Sequence, residues 1–218
     1  MLTWFLVVYP FFGWGGSLVI LVCSLVAAKA YRGKEGERYF IRNHFVSELG
    51  EQGVSRLARL FNMGLILGGF LFLLMMPGVG ISLGSAWGYL GMAAGIVAAA
   101  ACMCVGIFPM NNLGPHTIAA MTYFRAGLAT VLLFCIAIIL QPAEQRVIPL
   151  YTLPIGGSAF VAYAVFLVYM ARVEKKDKSN ALDTNTVSER PGFWWMPFLE
   201  WMVVIFTLLW FLVLCAIR

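Results

Sequence analysis

Residues 2–28 read LTWFLVVYPFFGWGGSLVILVCSLVAA, without one acidic or basic side chain. A helix rises about 1.5 Å per residue, and about 20 apolar residues cross a bilayer's hydrocarbon core. This run is long enough to do so. A cleaved leader would have a basic start and an apolar core of about 7–15 residues. Here no Lys or Arg comes early and the core is too long, so the run is expected to stay as a retained first span. Ala28-Lys29-Ala30 only imitates a cleavage site.

The pattern repeats outward from this run. Apolar stretches at 57–80, 86–108, 116–140, 150–172 and 196–216 give six expected spans, the first at 3–28. The chain is 61% hydrophobic and 11% charged, against roughly 25% charged for soluble domains. A soluble domain is excluded. The expected fold is all-α, a single polytopic six-transmembrane-helix bundle over residues 1–218.

Charge placement predicts an orientation. Each span crosses once, so the connections after spans 1, 3 and 5 share a side. That side holds Lys29, Arg32, Lys34, Arg38, Arg42, Arg56, Arg59, Arg172, Lys175, Lys176, Lys178 and Arg190; the other holds Arg146 and Arg218. Lys and Arg mark cytoplasmic loops. Both termini are therefore expected outside, with the basic side in the cytoplasm of a bacterial inner membrane. The net charge of +5 then describes a membrane face, and no nucleic-acid partner is expected.

Glycines four apart (Gly64 and Gly68, Gly84 and Gly88, Gly91 and Gly95) have the spacing that lets membrane helices approach closely. Pro77-Gly78 and Pro142 are expected to mark helix ends. Trp4, Tyr9, Trp14, Trp87, Tyr89, Trp194 and Trp195 are read as interfacial anchors. Cys23, Cys102, Cys104, Cys135 and Cys215 all fall inside apolar runs, as small hydrophobes do. Cys102 and Cys104 point apart on a helix, and the chain has two histidines. Neither a metal site nor a cofactor is expected.

The residues that could carry chemistry gather at one end. RNHFVSELGE (42–51) precedes span 2, NNLGPH (111–116) precedes span 4, and Glu200 opens span 6. By parity of crossings these lie on one membrane face, where His44, Ser47, Glu48, Asn111, Asn112, His116 and Glu200 are expected to converge. Gly50 and Gly53 interrupt any regular helix there. An irregular segment tucked over the bundle is expected, allowed at that depth only where protein or water satisfies its backbone. Arg125 lies inside span 4, where a cation needs a partner. It is read either as a structural ion pair with Glu200 or as a ligand-facing group. Arg56, Arg59 and Asn62, spaced by three, are either snorkelling anchors or a lipid-headgroup site.

These residues resemble a family. SELG after span 1, LFN entering span 2, VG-x-F then His, Phe and Gly around span 4, and Glu-Trp opening span 6 resemble the Frag/DRAM/Sfk group of six-span membrane proteins. The sequence looks closer still to prokaryotic domain-of-unknown-function proteins of the same layout. The matching positions are Ser47, Glu48, Gly50, Phe61, Asn62, Val105, Gly106, Phe108, His116, Phe124, Gly127, Glu200 and Trp201. The resemblance implies a lipid-facing role and supplies no reaction. It also conflicts with the charge count, since the motif side of the autophagy-modulator members is expected to be lumenal.

Two functions are therefore weighed. The first is a non-catalytic lipid-binding or accessory membrane subunit, with membrane lipids and other transmembrane subunits as partners. The second is a lipid-remodelling enzyme, performing acyl transfer or hydrolysis with Ser47, His116 and Glu48 or Glu200. G-x-S-x-G, H-E-x-x-H and H-x-E motifs are missing, which favours the first.

Overall fold

The computed structural model describes residues 2–176 and 190–216; Lys178 and Arg218, two of the basic residues counted above, lie outside them. The long helices are α1 (Leu2–Ala30), α2 (Ala58–Leu83), α3 (Ala86–Ile107), α4 (Leu113–Ile139), α5 (Leu153–Lys176) and α6 (Trp195–Cys215). All six positions carry a helix long and apolar enough to cross a membrane, and no strand occurs among the described residues. The fold is an all-α membrane-type bundle. Each helix packs on the next in sequence, and α6 returns to α1 to close the ring.

Hydrophobicity does not choose the buried face, because each helix is apolar nearly all round and lipid is as apolar as leucine. Small and polar side chains choose it instead. On α1, Ser17, Ser24 and Ala27 turn inward while Leu18, Val22 and Leu25 face out. A Cβ on Gly68 would meet Ile20 and, at 3.1 Å, the Gly16 carbonyl, so α1 and α2 touch backbone to backbone. A Cβ on Gly88 would sit 3.2 Å from the Gly80 carbonyl at the α2–α3 crossing. Gly91 and Gly95 receive Phe134 and Met76.

Several expectations need correction. Gly84 is not a packing glycine; it caps α2 in the left-handed region, at φ 56°. Pro77 does not end α2, which runs on to Leu83. Its missing N–H is tolerated because neighbouring groups in a bundle absorb the loss. Tyr9 is buried rather than interfacial, with its ring against Gly78. Trp14 turns inward to donate to the Leu212 carbonyl at 3.2 Å. Trp87, Tyr89 and Trp195 do stand exposed.

The ends of the bundle differ. On one end, Gln141 binds the 140–149 connection: its Nε2 donates to the Ile138 and Ile148 carbonyls, and its Oε1 accepts from the Val147 and Ile148 N–H groups. The opposite end carries the polar loops.

Candidate functional site

After α1 the chain turns through Gly36, at φ 81°, and reaches a short 3-10 helix, Val46–Gly50. Side chains hold this helix from three directions. Glu48 Oε1 accepts from the Phe45 N–H at 2.8 Å, as a first-turn glutamate satisfies an orphan donor. Glu200 Oε2, from α6, accepts from the Val46 N–H at 2.7 Å. Asn62 Nδ2, from α2, donates to the Gly50 carbonyl at 3.0 Å. A Cβ on Gly50 would collide with that Asn62 side chain, so the approach requires glycine. The expected irregular segment is therefore this buried helix, packed through Val46 and Leu49 against Ala27, Tyr31, Phe61 and Trp201.

Beneath it lie two adjoining cavities, each of about 60 Å³. Both are walled by Ser47, His116, Ala120, Phe124 and Glu200. One extends toward Phe166, Met170 and Met196, and the other toward Leu65, Cys102 and Leu208. The parity argument thus correctly brought Ser47, His116 and Glu200 together.

His116 is set by its helix. Pro115 occupies the first turn of α4, where its missing N–H has no intrahelical partner to lose. His116 Nδ1 lies 2.8 Å from the Phe108 carbonyl at the end of α3. A carbonyl only accepts, so Nδ1 carries the proton and a neutral ring presents a bare Nε2. Glu200 commits Oε2 to the loop, and no described group bonds Oε1.

Glu48 belongs to a second compartment. Its carboxylate, 2% exposed, takes both terminal guanidinium nitrogens of Arg190, at 3.0 Å and 2.9 Å. Tyr31 donates to the same carboxylate at 3.3 Å. Arg190 also donates to the Asn43 carbonyl, Asn43 Nδ2 to the Pro191 carbonyl, and the Trp194 N–H to the Arg42 carbonyl. These bonds strap the α5–α6 connection onto the α1–α2 connection. Phe45 meets the Trp194 ring at 5.0 Å and also lines a cavity, so strap and cavity share a wall. Asn111 stays at the rim, pairing both amide atoms with the Gln52 backbone at 2.7 and 2.9 Å. The α1–α2, α3–α4 and α5–α6 connections therefore meet on one face.

Other expectations separate. Arg125 and Glu200 form no ion pair: Arg125 is exposed on α4, whereas Glu200 is buried and bonded to Val46. An arginine on an outward face can extend its long side chain toward the interface. Arg56 and Arg59 are exposed together, but Asn62 turns inward to Gly50 and leaves their patch. Sequence reasoning also missed partners. In the sequence Arg190 is only one basic residue of a loop, and nothing local marks Phe108 as the residue whose carbonyl orients His116.

His44 is 1% exposed, with Nδ1 2.9 Å from Asn43 Oδ1 and no partner for Nε2. Burial lowers its pKa below the ordinary 6.5; the Glu48 charge offsets part of this and Arg190 adds to it. Between that lowered value and 6.5 the unfolded chain takes the proton first, so stability falls as pH drops through this window. The melting temperature in detergent should decline from pH 7.5 to 5.5, and less steeply in His44→Gln. Parallel profiles for the two proteins would show that His44 does not contribute.

Residues 15–217 match the family model described as Protein of unknown function (DUF998). The chain belongs to the DUF998 family. No curated protein and no solved structure matches it. Within this DUF998 chain the match spans all the residues that hold the short helix, line the cavities and form the strap.

Proposed function

We propose that the protein holds a membrane amphiphile in the paired cavities, as a lipid-binding or accessory membrane subunit. The observation that carries this reading is the shared wall. Ser47, His116 and Glu200 stand between two cavities whose other linings are almost entirely apolar. Polar groups so placed cost about 1–3 kcal/mol each when unpaired, and a bound polar head would remove that cost. Its chain would lie along Phe124, Phe166 and Met170. The resemblance to the lipid-handling Frag/DRAM/Sfk group supports the same reading. Arg56 and Arg59 suit bilayer phosphates at the rim, and the Lys/Arg bias favours the cytoplasmic side of a bacterial inner membrane. The outward helix faces are open to lipid and to other transmembrane subunits.

The test is photocrosslinking with a monoacylglycerol bearing a diazirine in its chain. Adducts are expected on Met121, Phe124 or Phe166, and Ala120→Trp, which fills both cavities, should remove them. Adducts confined to outward residues such as Val22 and Val161 would sink the proposal.

A second reading, acyl transfer or hydrolysis, is favoured by the bare Nε2 of His116, the form a general base needs. Against it, Ser47 makes no hydrogen bond with His116, and the imidazole is oriented by a carbonyl rather than by Glu200. Labelling of Ser47 by a fluorophosphonate lipid would favour this second reading.

A further inference from the structure

The chemistry of the head follows from the cavity wall, and it rests on the amphiphile reading above. We infer that the cavities select heads that are uncharged or cationic and donate hydrogen bonds, a hydroxyl or an amine, over phosphate heads. Among the described residues, no lysine or arginine lines either cavity. On the wall the two cavities share, the acceptors are the Glu200 carboxyl and the bare imidazole Nε2 of His116; the Thr117 and Tyr123 hydroxyls each line one cavity only. The Ser47 hydroxyl can both donate and accept.

The nearby cations are committed elsewhere. Arg190 is bound to Glu48 and the Asn43 carbonyl, while Arg56 and Arg59 stand exposed. A phosphate in the cavity would be a buried anion with no counter-charge, at low dielectric. A hydroxyl instead supplies the donor that Glu200 Oε1 or His116 Nε2 lacks. An amine supplies the donor and the missing positive charge together. Glu200 supplies no cation in either protonation state.

Size agrees. Each cavity of about 60 Å³ is several times the ~10–15 Å³ that one water needs. That is room for a head of a few heavy atoms and the start of a chain.

The experiment is competition against the diazirine monoacylglycerol on purified full-length protein in micelles. The competitors are non-photoactive monoacylglycerol, sphingosine and lysophosphatidate. Lysophosphatidate should need at least tenfold higher concentration than either of the others to halve the cavity adduct. The first two separate a hydroxyl from an amine head. Equal competition by lysophosphatidate overturns the inference and leaves the amphiphile reading standing. Absence of any cavity adduct overturns both.

Glu200→Gln sharpens the test. Its amide oxygen can still accept from the Val46 N–H, while its NH2 turns the cavity-side atom into a donor. Sphingosine should then lose at least tenfold and lysophosphatidate should gain. An unchanged order in the folded variant overturns the inference. The wild-type ranking decides the matter even if that variant does not fold.

Discussion

Glu48→Gln is expected to lower the stability of the folded bundle by about 3 kcal/mol, as removing one partner of a buried ion pair does. The carboxylate is 2% exposed and the Arg190 side chain 26%. Arg190 keeps some water, which places the cost at the lower end of the range for buried pairs. The glutamine can still accept from the Phe45 N–H, so the loss isolates the charge. The measurement is thermal unfolding in detergent for wild type, Glu48→Gln, Arg190→Gln and the double variant. A coupling of about 1–3 kcal/mol between the two positions is expected. Additive losses, or a single variant that melts with wild type, would show that the strap does not stabilise the loops.

The second large effect lies in the packing beneath the site. Gly106→Ala places a Cβ 2.5 Å from the Asn62 carbonyl and 2.9 Å from Ile66 Cγ1. The first of these is backbone, so no rotamer change relieves it and α2 must move away from α3. Overpacking of this kind costs about 1–3 kcal/mol. It also reaches the site, because Asn62 holds Gly50 and the adjoining Phe108 carbonyl orients His116. Gly157→Ala is the control, since nothing lies within 4 Å of its Cβ. There, alanine's better helix propensity should leave stability unchanged or raise it by up to about 1 kcal/mol. Melting temperatures that fall equally for both variants would remove the argument for a close α2–α3 crossing.

The six spans were readable because lipid imposes a length rule on each run separately. Parity of crossings was equally readable, and it correctly grouped Ser47, His116 and Glu200. The direction in which a side chain faces was not readable in the same way. In a helix that is apolar all round, periodicity does not distinguish lipid from core. Arg125, expected either to pair with Glu200 or to face a ligand, turns outward from the bundle, and Asn62 leaves the two arginines with which its spacing groups it. Gly84 and Pro77 depart from expectation for a related reason. Four-residue glycine spacing and a proline-glycine pair have several structural uses, and the neighbouring helix selects among them.

Glu48 shows the limit most clearly. Its place in SELG marked it for the same pocket as Ser47, one residue away. On a tight 3-10 turn, consecutive side chains diverge, so Ser47 enters the cavity wall while Glu48 turns to Arg190, 142 positions along the chain. The sequence by itself determined the membrane-type fold, the number of spans and the face on which the polar loops meet. Hydropathy and crossing parity depend on each run alone. Only the tertiary structure decided the division into strap and cavity, the ring tautomer of His116 and the absence of a cation from the cavity wall among the described residues. Those depend on which distant groups a folded backbone brings within hydrogen-bonding distance.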